Sequence, residues 1–166
     1  MSFKLSTICK IAAAIGSIVA FILLLMTQCC YVKGFPDFSY SGTCVIFGGR
    51  PPRVPSITAV PIALFSWIVL LIVILLLGAL LVGEFLNINV VNDYGKYVMV
   101  GIAGLLIIVG ILIFCTPLGV NDQIKKYFGD MEVLLYGGWI AAAILSFVSS
   151  LVCLAPLVLD FLGIEL

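Results

Sequence analysis

The chain contains no histidine, and only 10% of its 166 residues are charged. Soluble domains carry about 25% charged residues, and histidine is the commonest general base and neutral metal ligand. Eight lysines and arginines balance eight aspartates and glutamates, so there is no basic excess for nucleic acid. These absences argue against a soluble enzyme. We expect no catalytic residue, no metal, no cofactor and no nucleic-acid partner.

What the chain has instead is apolar sequence: 64% of its residues are hydrophobic and the mean hydropathy is +1.35. About 20 apolar residues in a helix span a hydrocarbon core of about 30 Å. The sequence therefore predicts an all-α integral membrane protein in which one domain, residues 1–166, forms a four-helix bundle in the lipid bilayer. The predicted spans are 11–30, 59–82, 97–116 and 133–159. The first has no small-x-small cleavage site, so we expect a retained helix and not a signal peptide.

An even number of spans places both termini on one side of the membrane and the first and third loops on the other. Lysines and arginines number three on the terminal side and five on the loop side, which favours external termini. Cys29, Cys30 and Cys44 around the first loop favour the reverse, because disulfides persist in oxidising compartments. We favour cytoplasmic termini and a plasma-membrane location.

The interiors of the predicted spans carry no ionisable residue, which disfavours pumps, ion-coupled transporters and voltage sensors. Small residues do recur at helical spacing. In the fourth span they fall every four residues, at Gly138, Ala142, Ser146 and Ser150. Small residues let helices approach closely. This small-residue ridge either packs the chain's own bundle or docks a partner helix, and we predict it as the candidate partner-helix contact.

The first loop contains short strand-like pieces separated by turn residues, which predicts a β-hairpin-like loop. Cysteines could pin it: either Cys29 or Cys30 would bridge to Cys44, and the other would reach Cys115 or stay free. Tyr40, Cys44 and Phe47 are the predicted loop contacts with a partner, with an interfacial aromatic belt as the alternative for the aromatic residues.

Cys9 precedes Lys10 at the predicted membrane edge. If the termini are cytoplasmic, this cysteine is a candidate palmitoylation site. An unmodified thiol is the alternative.

The stretch around Tyr136, Gly138 and Trp139 resembles the last helix of the claudin and peripheral myelin protein superfamily, and the stretch from Gly101 to Gly104 resembles its third helix. The layout of four spans with a longer first loop is also similar, although the MARVEL proteins share that layout. The family's first-loop Gly-Leu-Trp motif is absent here. The resemblance implies a non-enzymatic tetraspan protein that binds other integral membrane proteins.

Within that class we expect an auxiliary or structural subunit of a channel or receptor complex, in a hetero-complex and not a homo-oligomer. The alternatives are a claudin-like junction or adhesion protein and a pore-forming homo-oligomeric channel subunit.

Overall fold

The computed structural model describes residues 5–26, 28–32, 35–41, 59–128, 133–135 and 137–162. Its helices are α1 (Leu5–Met26), α2 (Ala59–Phe85), α3 (Asn89–Phe128) and α4 (Gly137–Phe161). Within the described ranges, four helical segments are long and apolar enough to cross a membrane. The prediction of a helical membrane protein with four spans is confirmed at this level.

The ends of the helices differ from the predicted spans. α1 begins at Leu5 and ends at Met26, so residues 28–32 form a strand where the sequence predicted the end of a span. α2 continues to Phe85, and α3 begins only four residues later, so most of the expected second loop is helical. Hydropathy placed the beginning of α1 and the end of α2 wrongly because Lys10 and Glu84 interrupt the apolar runs, although both residues lie within helices.

The four helices form a closed ring, in which each contacts the next and α1 also packs against α4. Buried positions on α1 alternate at spacings of three and four residues, from Lys10 through Ala13, Ser17 and Ala20 to Leu24. This is the seam spacing of helices that cross at a shallow angle. The opposite faces expose large apolar side chains such as Ile15, Leu75 and Leu151. A bundle whose core and outer faces are both apolar suits contact with lipid.

The core is divided between large and small side chains. α2 and α3 contribute large residues such as Leu70, Leu77 and Leu106, whereas α1 and α4 contribute mostly alanine and serine. A Cβ added at Gly16 of α1 would overlap the Ser149 hydroxyl of α4. Since helices attract one another in lipid mainly by close packing, this small-residue interface holds the first and last helices together.

Three short strands lie on the side of the bundle away from the termini. They are β1 (Gln28–Val32), β2 (Phe35–Ser41) and β3 (Val133–Leu135), paired antiparallel in the order β2-β1-β3. Strand β1 follows α1, and β3 precedes α4 with Tyr31 opposite Leu134. The first and third loops therefore meet, on the side of the bundle where alternating spans place both of them.

On the opposite side, α2 ends in a tight turn that leads directly into α3. Asn87 has a φ of 51°, and the amides of Asn87 and Ile88 donate to the carbonyls of Glu84 and Gly83 at 3.1 and 3.0 Å. These two bonds define a Schellman motif, in which a left-handed residue closes the helix. Gly83 is required there because a Cβ would lie 2.5 Å from Cγ2 of Val91.

We predict that Gly83→Ala destabilises the bundle by about 1–3 kcal/mol, because overpacking at a rigid β-branched neighbour forces the two helices apart. Gly78→Ala on the same helix is the matched control, since no atom lies within 4 Å of its added Cβ. Unfolding in mixed detergent micelles measures both. Equal stabilities for the two variants would contradict the close approach of α2 and α3.

Candidate functional site: a buried ion pair and a small-residue ridge

A charged cluster joins α1 to α2 near the face of the bundle that bears the termini. Lys10 Nζ lies 2.6 Å from Glu84 Oε2, and the Thr7 hydroxyl donates to Glu84 Oε1 at 2.5 Å. Only 8% of the lysine side chain and 20% of the glutamate side chain are exposed. Both carboxylate oxygens are thus engaged by groups from α1.

The candidate spans of the structure are longer than the predicted ones, and they include Lys10 and Glu84, which lie just outside the predicted spans 11–30 and 59–82. Glu84 is held in place by the Schellman turn, and Lys10 lies on the buried seam of α1. The useful sequence signal was two opposite charges at the termini-side ends of consecutive spans.

A second ion pair lies on the same face, between the beginning of α3 and the end of α4. Lys96 Nζ is 3.3 Å from Asp160 Oδ2, with 48% and 62% of the two side chains exposed. The lysine also lies 5.8 Å from the ring centre of Tyr97, within range of a cation–π contact. Solvent or lipid headgroups can screen this pair, so it constrains the bundle less than the buried one.

The small-residue ridge of α4 faces the interior of the chain's own bundle. Ala142, Ser146 and Ser150 are buried, and Gly138 is half-buried. The Ser150 hydroxyl donates to the Ala103 carbonyl of α3 at 3.0 Å, and the Ser146 hydroxyl donates back to the Ala142 carbonyl at 2.9 Å. In this structure the side chains of Ala142, Ser146 and Ser150 are therefore buried within the chain's own bundle, and the contact with a partner helix stays a prediction.

One hydroxyl in this interior has no partner. Ser17 of α1 is fully buried, and its Oγ makes no hydrogen bond. The indole nitrogen of Trp139, at the beginning of α4, is likewise buried without an acceptor. An unsatisfied hydroxyl costs more in an apolar environment than in water, so Ser17 contributes small size to the interface and not a bond.

The predicted loop contacts are placed only in part. Tyr40 lies in β2, opposite Cys30 of β1 in the backbone register, and its side chain is outside the described residues. Cys44 and Phe47 also lie outside them, and Cys29 and Cys30 are described by backbone alone. The structure thus leaves their disulfide pairing as a prediction.

The described cysteines of the helices are free thiols. Cys115 lies on α3 and is half-buried without a disulfide, which removes it from the bridged set in this structure. Its place inside the apolar segment Tyr94–Thr116, and not in the loop, is the physical reason. Cys9 is also free and half-buried. Among the residues whose side chains are described, no group of three or more potential ligands could hold a metal ion.

No family model, curated protein or solved structure matches this chain.

We predict that Glu84→Gln destabilises the bundle by about 3–5 kcal/mol, because it leaves the Lys10 ammonium buried without a counter-charge. The double variant Lys10→Met with Glu84→Gln should recover most of that loss, since no unpaired charge is then left between α1 and α2. Chemical unfolding in detergent micelles provides the measurement.

Asp160→Asn is the control for this prediction, because it removes a carboxylate from the exposed pair and should change stability by less than about 1 kcal/mol. If Glu84→Gln proved as mild as Asp160→Asn, the buried pair would not constrain the fold.

Two serine substitutions distinguish the effect of a serine hydrogen bond on stability from the effect of the small size of the serine side chain. Ser150→Ala should cost about 0.6 kcal/mol, the average for a hydrogen bond between transmembrane helices. Ser17→Ala should be neutral or stabilising, because it removes a buried hydroxyl that has no partner. The same unfolding assay compares them, and a larger loss for Ser17→Ala than for Ser150→Ala would contradict this assignment.

Proposed function

We propose that this chain is a non-enzymatic tetraspan membrane protein that binds other integral membrane proteins, as an auxiliary or structural subunit of a larger channel or receptor complex. The proposal includes cytoplasmic termini and a plasma-membrane location. It builds on the four apolar helices, whose outer faces suit lipid and neighbouring transmembrane segments.

The observation that carries the proposal is a notch on the outer face of α3. Gly101 and Gly104 are exposed, and nothing lies within 4 Å of a Cβ added at either position. They lie between the larger exposed side chains of Tyr97 and Ile108. Small residues on a lipid-facing helix permit the close approach of a second helix. Because the small-residue ridge of α4 is buried in the chain's own bundle, this notch supports contact with a partner helix better than that ridge does.

The loop side supplies the second part of the proposal. The sheet β2-β1-β3 joins the first and third loops above the bundle. We propose that a disulfide between Cys44 and either Cys29 or Cys30 pins this hairpin-like loop, and that Tyr40, Cys44 and Phe47 contact the outer domain of the partner. Palmitoylation of Cys9 is part of the same proposal for the opposite face.

Of the alternatives, a claudin-like junction or adhesion protein draws on the same loop and on the stated resemblance. A pore made by one copy of the chain is disfavoured, because large apolar side chains such as Leu70, Leu106 and Ile113 fill the core of the bundle. A homo-oligomeric pore would have to be lined by the outer faces, which expose large apolar residues.

The experiment that tests the proposal is extraction of the full chain from its native membrane in a gentle detergent, followed by native mass spectrometry. A hetero-complex of fixed stoichiometry is the expected result. Homo-oligomers or polymeric strands would overturn the auxiliary-subunit proposal in favour of a pore or a junction protein, which conductance in a planar bilayer separates.

The notch is tested by Gly104→Leu, which should reduce recovery of the partner while the chain folds normally, because the leucine side chain blocks the close approach of a second helix. We expect a reduction of about tenfold, which corresponds to about 1.4 kcal/mol of binding free energy. The protein's own packing offers no obstacle to the new side chain near its Cβ. Ala12→Leu, on the exposed face of α1, is the matched control and should leave recovery unchanged. Equal recovery from both variants would remove α3 as the docking helix.

A further inference from the structure

The contact between α3 and α4 ends in the exposed ion pair at the face that bears the termini. Ala103 of α3 accepts a hydrogen bond from Ser150 of α4 in the interior of the bundle. Lys96 lies seven residues before Ala103, and a seven-residue step keeps to one side of a helix. Lys96 meets Asp160 of α4, so the pair lies at the outer end of the interface between the two helices.

This pair lies at the level where a bilayer changes from hydrocarbon to headgroups. The segment of α3 that could cross the membrane begins at Tyr94, and the segment of α4 ends at Phe161. Lys96 and Asp160 lie within two residues of those ends, which is about 3 Å along a helix axis. Tyr94 and Tyr97 are exposed, as tyrosines at a membrane interface are. Lipid headgroups are therefore within reach of both charges.

The pair presents one charge of each sign at that level. The side chains of Lys96 and Asp160 remain 48% and 62% exposed, although Nζ and Oδ2 are 3.3 Å apart. An ammonium has more donors, and a carboxylate more acceptor sites, than this one contact uses. An anionic ligand without a cation of its own would be attracted by Lys96 and repelled by Asp160. A ligand that carries both charges complements both side chains.

Beside the pair, the end of α4 borders an open cleft of about 610 Å³. Pockets for small ligands have volumes of about 300–1,000 Å³. Apart from Asp160, the described residues that line the cleft are apolar, namely Leu157, Val158, Phe161 and Leu162. Charges next to an apolar lining suit an amphipathic molecule, with its headgroup at the ion pair and its acyl chains along α4.

We propose that Lys96 and Asp160 form a headgroup site for phosphatidylethanolamine on the side of the membrane that bears the termini. The lipid phosphate accepts from the Lys96 ammonium, and the lipid ammonium donates to the Asp160 carboxylate, both as charge-assisted hydrogen bonds. Phosphatidylcholine carries the same charges, but its quaternary ammonium has no N–H to donate. Phosphatidylglycerol has the phosphate without the ammonium. The site includes neither the glycine notch nor the loop sheet, so it does not depend on the proposed protein partner.

Native mass spectrometry of the full chain in detergent, titrated with dioleoyl lipids that differ only in their headgroups, tests this site. We expect phosphatidylethanolamine to bind more tightly than phosphatidylcholine or phosphatidylglycerol. Lys96→Gln should weaken its binding by about tenfold, the effect of one lost charge-assisted hydrogen bond, and Lys96→Arg should preserve it. Lys126→Gln is the matched control and should have no effect, since it removes a lysine about 45 Å away along the same helix.

Asp160→Asn changes the headgroup preference in a way that a loss of folding would not. Without the carboxylate, phosphatidylethanolamine should bind more weakly, and phosphatidylglycerol should bind more tightly because Lys96 alone then faces the phosphate. Equal binding of the three lipids to the unaltered chain, which indicates nonspecific annular lipid, would overturn the proposal. A preference of the unaltered chain for phosphatidylcholine or phosphatidylglycerol would do the same, as would phosphatidylethanolamine binding that Lys96→Gln leaves unchanged.

Discussion

Close packing between α1 and α4 is the constraint on which the rest of the structure depends. Apolar side chains gain no free energy by leaving lipid for the interior of the bundle, so helices associate through close contact and interhelical hydrogen bonds. Alanine and serine on both helices, with Gly16 against Ser149, allow that contact. Because these are the first and last helices, their contact closes the ring. It also brings the third loop against the first, where β3 pairs with β1.

Several polar groups in this bundle are placed where they find partners within the chain, although the Ser17 hydroxyl and the Trp139 indole nitrogen have none. Lys10 and Glu84 neutralise each other where α1 and α2 meet, and Ser150 reaches a carbonyl of α3. A buried ion pair is weak support for stability by itself, since its desolvation offsets much of its attraction. Its effect is on arrangement, because the pairing of α1 with α2 gives each of the two charges an opposite charge at 2.6 Å.

The sequence predicted the number and approximate places of the helices, because 20-residue apolar runs are unmistakable. It did not predict the ends of the helices. Averaged hydropathy falls at a charged residue, so it ends a predicted span there even where the charge is paired within the fold. Lys10 was therefore assigned to the membrane edge and Glu84 to a loop. The ridge at Gly138, Ala142, Ser146 and Ser150 was recognised, but spacing within one helix cannot say which neighbour covers it. That depends on contacts over a hundred residues apart, such as Gly16 with Ser149.

The use of the small residues inside the bundle changes where a partner could bind. A helix face already covered by α1 and α3 offers nothing more, so recognition depends on what the outer surface exposes. Most of that surface is isoleucine, leucine and valine, which lipid tails satisfy as well as any protein does. Gly101 and Gly104 differ, because they are neighbours on one face of the helix and neither has a side chain. The exposed backbone between them forms a gap that a second helix can cover. In the proposed complex, α3 therefore supplies the helix contact, and the paired loops contribute only where a partner extends beyond the bilayer.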